Sequence, residues 1–213
     1  MNVCVIGIGA MGGGIARGLL ESNRTKHVVG YDRNANLVAA YQKDAVAANK
    51  MALEEPPACL HDAIVKVDTQ VIFLVLVNEA QCDEVCFGSS DQNVLECLKS
   101  CSGPACVILC STVTATWARK ACDEFKRSGI HFVDCPISGG PVRARARELT
   151  MMASGDEESL SMAMPLLKAV GKEIHVIEGG AGMGSTVKVG LFVDLSSRGI
   201  IDHELSMLLL TEV

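Results

Sequence analysis

Aromatic residues make up only 4% of the 213 in this chain, so its core has to be built from aliphatic side chains. Long apolar runs are missing too. The longest, "VIFLVLV" from Val71 to Val77, has the length of a strand and falls far short of the roughly 18 to 20 residues that span a bilayer. Basic charge is in short supply: 19 Lys and Arg stand against 25 Asp and Glu, and the net charge of −6 gives no general attraction for phosphate backbones or anionic lipid. These shortages argue against nucleic acid and membranes as partners and leave work on a small molecule. The N-terminus, "MNVCVIGIGAMGGG", has no charged leader, and its apolar residues run straight into glycines that read as structural, so a soluble, cytoplasmic protein is expected.

The ten cysteines include no CxxC pair; their closest spacings are Cys82-x3-Cys86, Cys97-x3-Cys101 and Cys106-x3-Cys110. That pattern speaks against a zinc site, and no metal is expected. Cys4, Cys106 and Cys110 fall in expected strands, where a reduced thiol acts as a small apolar side chain. Hydrophobic residues at 49% and charged ones at 21% describe an ordinary globular chain with room for one sizeable core.

Short apolar runs alternate with helical patterns: "NVCVI" at Asn2 to Ile6, "HVVGYD" at His27 to Asp32, "QVIFLVLV" at Gln70 to Val77, "ACVILC" at Ala105 to Cys110 and "IHFVD" at Ile130 to Asp134. The runs are continuous and not alternating, so both faces of each strand are expected to be covered. An α/β fold follows, with a doubly wound, mostly parallel sheet flanked by helices. Two later runs, Leu149 to Ser154 and Glu173 to Glu178, flank a helical stretch from about Glu157 to Val170 and are expected to extend that sheet. The glycine-rich seam from Gly179 to Gly184 reads as a boundary, dividing the chain into a unit over 1–178 and a tail over 179–213.

Directly after the first run comes Gly7-Ile8-Gly9-Ala10-Met11-Gly12, a G-x-G-x-x-G that opens a helix rich in Ala and Leu. In this strand–turn–helix context Gly7 permits the tight turn, Gly9 lets the backbone approach a pyrophosphate and Gly12 lets the helix pack on the strand. The free N–H groups and positive dipole end then favour a phosphate. Asp32, at the end of the second run, can accept hydrogen bonds from the adenosine ribose hydroxyls, which favours NAD. Arg33 beside it can pair with the extra 2′-phosphate of NADP, which keeps that cofactor open.

Three further segments carry a resemblance: "CSTV" at Cys110 to Val113, "VDCPISGGPVRARARELTMMASG" at Val133 to Gly155 and "GMGSTVKV" at Gly182 to Val189. With the glycine loop they resemble the 3-hydroxyisobutyrate (β-hydroxyacid) dehydrogenase family, and "VLVNEAQCDEVCFG" with "GMGSTVK" is most like its L-threonate dehydrogenase branch. The resemblance runs from about Val3 to Val189. It implies a Rossmann domain followed by the start of a long interdomain helix and an all-helical domain, here C-terminally truncated to a short remnant. It also implies a small 3-hydroxy acid or sugar acid as substrate. By matching motif, Ser138, Gly139 and Gly140 would hold the substrate carboxylate, Thr112 and the backbone of Leu76 and Val77 would line the nicotinamide side with Ala10 and Met11 in the phosphate loop, and Lys188 would be the catalytic lysine.

The residues read the same way on physical grounds, within limits. "ISGG" directly after a strand places a hydroxyl and glycine N–H groups at the carboxyl end of the sheet, where a carboxylate finds donors. Arg143, Arg145 and Arg147 either attract an acidic substrate or form a solvated edge. At Arg147 the family motif has Gly, and a backbone of positive φ there would cost on the order of 1 kcal/mol and shift the loop.

Hydride leaves a carbinol carbon only as the hydroxyl proton leaves, so a base is needed within reach of that oxygen. Lys188 is the candidate, either accepting the proton or, as a cation, stabilising the developing oxyanion. One turn further on, the family's polar amide or imidazole is replaced by Leu191 and Phe192, and Gly190 with Ser196-Ser197-Arg198-Gly199 does not read as one uninterrupted helix. Leu191, Phe192, Ile200, Ile201, Leu205 and Leu208 to Leu210 would lack packing partners and favour self-association. Two functions follow: an NAD(P)-dependent hydroxyacid oxidoreductase with turnover reduced by truncation, or a non-enzymatic dinucleotide-binding fragment.

Overall fold

In a computed structural model, which describes residues 1–50, 53–89 and 92–197 and, within the last helix, no side chain beyond Gly190, the five apolar runs form five strands. They are β1 (Asn2–Ile6), β2 (His27–Tyr31), β3 (Val71–Leu74), β4 (Cys106–Leu109) and β5 (His131–Asp134), joined in the order β2-β1-β3-β4-β5 with every pairing parallel. Between them lie α1 (Ala10–Glu21), α2 (Ala35–Ala47), α3 (Leu60–Ile64), α4 (Glu79–Phe87), α5 (Val94–Lys99) and α6 (Ala115–Arg127). Every residue of β3 and β4 is buried, as continuous apolar runs require. Alternate residues feed opposite faces: Val3, Val5 and Phe73 join one core layer, Cys4, Ile6, Ile72 and Leu74 the other. The sheet is thus covered on both sides, and the order of strands reverses direction between β1 and β3, the place where ligands of doubly wound sheets sit.

Helix starts follow local chemistry. Asn78, Asn93, Thr114 and Asp156 each accept the backbone N–H three residues on, and Asn34 accepts that of Asn36, which satisfies a donor with no partner inside the helix. The exception that matters is α1. Gly9 precedes it, no side chain caps it, and its first turn carries no acid.

Beyond β5 the expectation of one extended sheet is corrected. β6 (Ile137–Ser138), β7 (Leu149–Ala153) and β8 (Gly171–Val176) form a separate three-stranded sheet in the order β6-β7-β8, with β6 antiparallel and β8 parallel to β7. The reason lies in "DCPIS". Pro136 has no N–H to donate, but its carbonyl accepts Met152 N–H at 3.1 Å, so the stretch from Asp134 to Ser138 runs on antiparallel to β7. The two sheets meet at one antiparallel bridge, in which Asp134 and Ser154 exchange backbone hydrogen bonds of 2.9 and 2.7 Å. Two helices, α7 (Gly140–Ala146) and α8 (Glu157–Val170), complete this part, and α8 has the bounds expected from sequence.

After three glycines of positive φ, Gly179, Gly180 and Gly182, helix α9 (Met183–Ser197) begins. It runs without interruption through Gly190 to Ser197, against the expected interruption, while Arg198 and Gly199 of the expected break lie outside the described residues. The expected apolar tail, from the side chains of Leu191 and Phe192 through Ile200, Ile201, Leu205 and Leu208 to Leu210, lies outside the described residues.

All ten cysteines are free, and Cys4, Cys106 and Cys110 are buried in the core as expected. Among the described residues no helix is long and apolar enough to cross a membrane. Arg147 ends α7 at φ 60° and ψ 35°, the left-handed conformation. Its side chain lies over Gly18 of α1 and pairs with Glu21 at 3.4 Å, which places it on the α1–α8 seam. Because an exposed pair of that kind adds little, Arg147→Gly is expected to stabilise the fold by about 1 kcal/mol through relief of backbone strain. Denaturant unfolding measures this, and a loss of stability would show that the Arg147 packing outweighs the strain.

Candidate functional site

Where β1 passes into α1 the backbone is held closer than any side chain allows. A Cβ on Gly12 would lie 1.8 Å from the Gly7 carbonyl oxygen, and one on Gly7, whose φ is +86°, would lie 2.3 Å from the Val75 carbonyl. At Gly9 the situation is reversed: nothing lies within 4 Å of where its Cβ would be. Gly7 and Gly12 are glycine because the protein fills the space, whereas Gly9 borders open space beside an uncapped helix start. That combination fits a diphosphate held by N–H groups and the helix dipole. Ala10 is exposed at the mouth of this turn, and Met11 packs on the core beneath it.

A cleft of about 560 Å³ opens from this corner across the carboxyl ends of β1, β2 and β3. Gly7, Gly9, Asp32, Arg33, Leu76 and Val77 all line it, so the structure brings together six of the positions expected to hold a cofactor. The Asp32 carboxylate is fixed by two backbone donors, Ile8 N at 3.0 Å and Asn34 N at 2.9 Å, and so is held beside the glycine turn. Arg33 is engaged on the far side of the cleft, 2.7 Å from the Glu84 carboxylate of α4.

The β3 end is held from β4. Leu76 N–H donates to Ser111 Oγ at 2.7 Å, and that hydroxyl donates to the Leu74 carbonyl at 3.3 Å. Val77 N–H donates to Gln81 at 3.2 Å. Thr112, expected at the nicotinamide side, is half-buried and does not line the cleft; its neighbour Ser111 carries the contact to the β3 loop. Sequence reasoning also missed Tyr31, Leu60 and Val85, which line the same cleft. Tyr31 was adjacent to a recognised acid, but nothing in sequence placed α3 or α4 over the cleft.

The elements that carry the second set of expected residues meet at Asp134, which was not among them. Its side chain is fully buried at the end of β5 and accepts four hydrogen bonds: from Gly182 N at 3.0 Å, Ser185 N at 2.8 Å, Ser185 Oγ at 2.7 Å and Ser154 Oγ at 3.2 Å. Ser154 Oγ also receives Gly184 N at 2.9 Å. Burial pushes the Asp134 pKa up, against the downward pull of these donors. The first turn of α9 is thereby stitched to the corner where the two sheets meet. A Cβ on Gly184 would sit 2.3 Å from the Met152 carbonyl and 3.1 Å from Pro136, so α9 starts hard against the segment leading to Ser138.

Lys188 lies one turn beyond Ser185 and Gly184 on the same helix face and is 7% exposed. Burial lowers its pKa below the ordinary lysine value. Ser138 is half-buried in β6, and Gly139 and Gly140 follow it at φ 133° and 71°, a turn suited to glycine. This loop runs directly into α7, which packs on the cofactor helix so closely that a Cβ on Gly14 would be 2.8 Å from Ala144. Arg143 folds over Gly139, and Arg145 is exposed.

Comparison with known proteins agrees with this geometry. Residues 2–179 match the family described as the NAD binding domain of 6-phosphogluconate dehydrogenase. The chain is 31% identical to L-threonate dehydrogenase of Haemophilus influenzae over 188 residues, 88% of this chain and 57% of that protein. Among solved structures it is similar to a 3-hydroxyisobutyrate dehydrogenase from Salmonella typhimurium (25% identity, TM-score 0.77, covering 100% of this chain and 73% of the other). It is likewise similar to the Mycobacterium tuberculosis 3-hydroxyisobutyrate dehydrogenase with L-serine (25% identity, TM-score 0.75, covering 93% and 61%). The chain belongs to the family of the NAD binding domain of 6-phosphogluconate dehydrogenase. It spans about 57% of the length of the curated relative it matches.

Two substitutions separate packing glycines from the ligand glycine. Gly12→Ala is expected to destabilise the fold by several kcal/mol through backbone displacement, whereas Gly9→Ala should leave unfolding within about 0.5 kcal/mol yet weaken NAD binding at least about tenfold. Calorimetric titration and denaturant melts read both; equal stability losses would refute the distinction. Asp134→Ala leaves four donors without their acceptor and is expected to cost about 2–4 kcal/mol, measured by the same melts, with a cost under about 1 kcal/mol contradicting the role assigned to the joint.

Proposed function

We propose that this chain is the dinucleotide-binding and lysine-bearing part of an NAD-dependent oxidoreductase that oxidises the hydroxyl of a small 3-hydroxy acid or sugar acid of the L-threonate type. Gly7, Gly9, Ala10 and Gly12 would hold the diphosphate, Asp32 the adenosine ribose, and Leu76 and Val77 the nicotinamide side of the cleft. The cofactor, when bound, supplies the hydride acceptor. Ser138 and the N–H groups of Gly139 and Gly140 would anchor the substrate carboxylate, and Lys188 Nζ would take the hydroxyl proton. The names of the relatives support this substrate class, since L-threonate is a small hydroxy acid and L-serine carries a hydroxyl at the 3-position. We take the division into a unit over 1–178 and the start of a second over 179–213 as part of the proposal, supported by the family match ending at 179. The ten free cysteines support a reducing, cytoplasmic setting.

The observation that carries the reading is the burial of Lys188 on a helix whose start is packed against Asp134 and Pro136, two residues before Ser138. A surface lysine would be protonated at neutral pH and useless as a base, whereas desolvation favours the neutral amine. The same shift has a sign in stability. Between the lowered folded pKa and the ordinary value the unfolded chain binds more protons, so stability contributed by this group rises with pH through that window.

Incubation of the purified chain with NAD and a panel of 3-hydroxy acids that includes L-threonate is expected to produce reduced cofactor. The logarithm of kcat/KM should climb with pH and level off at an apparent pKa below 10.5. Lys188→Ala should remove the activity. Dinucleotide binding with no turnover on any acid of the panel would instead identify a binding protein without this chemistry.

A further inference from the structure

We propose that Glu84 is a specificity-determining residue: by occupying Arg33 across the mouth of the cleft it keeps the site selective for NAD over NADP. The inference rests on the dinucleotide reading of that cleft. Arg33 follows Asp32 at the end of β2, and a guanidinium next to the ribose-binding acid is the group able to pair with a 2′-phosphate. In this chain it is already paired. Its terminal nitrogen lies 2.7 Å from Glu84 Oε1, and both side chains line the cleft together with Asp32. The pair reaches from the β2 end to α4, over the side where Asp32 marks the adenosine ribose.

Charge decides the consequence. Asp32 and Glu84 together set two carboxylates against one guanidinium at this end of the cleft. A 2′-phosphate, close to doubly charged at neutral pH, would meet a net negative site and would have to displace Glu84 to reach Arg33. NAD brings no charge to that position and only needs Asp32. As a contributor to fold stability the pair is unremarkable, since 70% and 61% of the two side chains are exposed; its position, not its strength, gives it a role. Arg33, read from sequence alone as a sign of NADP, is therefore neutralised by a residue fifty-one positions later that only the fold brings to it.

The test is calorimetric titration of the full chain with NAD and with NADP at one fixed ionic strength, using wild type, Glu84→Gln, Arg33→Ala and the double variant. Wild type is expected to prefer NAD. Glu84→Gln should tighten NADP roughly tenfold while NAD stays within about twofold, and adding Arg33→Ala should erase the gain. The proposal is overturned if Glu84→Gln changes both cofactors equally, changes neither, or keeps its NADP gain without Arg33. A wild-type chain that folds but binds neither dinucleotide overturns the reading of the cleft, and the specificity proposal with it. Because both residues are exposed, melting temperatures of the variants should match wild type, which separates a binding effect from misfolding.

Discussion

The structure depends on one close approach, the passage of the Gly12 backbone over the Gly7 carbonyl where β1 becomes α1. No side chain fits between them, and because none is present the helix can begin directly at the carboxyl end of the central strand with its first N–H groups free. The sheet order places that point at the β1–β3 switch, so the same contact that packs the helix also aims its positive end into the cleft. Asp32, which accepts from Ile8 N, is thereby held beside that corner. Packing and ligand geometry are one constraint here.

A second joint carries the constraint to the other half of the site. Asp134 ends β5, meets Ser154 at the corner of the two sheets and receives the opening N–H groups of α9. Lys188 thus inherits its place from a buried carboxylate that takes no part in the proposed chemistry. On the other flank α7 leans on α1 through Gly14 and Ala144, so the Ser138–Gly140 turn is braced by the cofactor helix itself. A displacement at the glycine corner would therefore be felt at the Ser138–Gly140 turn.

Much of this was legible in the sequence. The five strands were recognisable because each is buried on both faces and so reads as an unbroken aliphatic run, and the glycine loop because its spacing has a mechanical cause. The second sheet was not legible: "LTMMAS" and "EIHVIE" look like further strands of the first, and only the antiparallel pairing of the Asp134–Ser138 stretch with β7 draws them into a sheet of their own. Gly190 was read as one of the residues that interrupt the helix, yet α9 passes through it, a reminder that the helical preference of one residue is weak against its context. The Asp134 network and the Arg33–Glu84 pair could not be read at all, since each joins residues far apart in the chain. The departure at Arg147 was visible as an unusual residue in a glycine position, and the left-handed backbone was found where that residue pointed.

Amide NMR of the isotope-labelled chain during titration with NAD tests the central claim most directly, because it reports where the dinucleotide lies without requiring turnover. The account predicts saturating shifts at Gly7, Gly9, Ala10, Asp32, Leu76 and Val77, with Glu173 to Val176 on β8 unmoved. Saturation by NAD with the glycine corner silent, or with shifts confined to the second sheet, would contradict it.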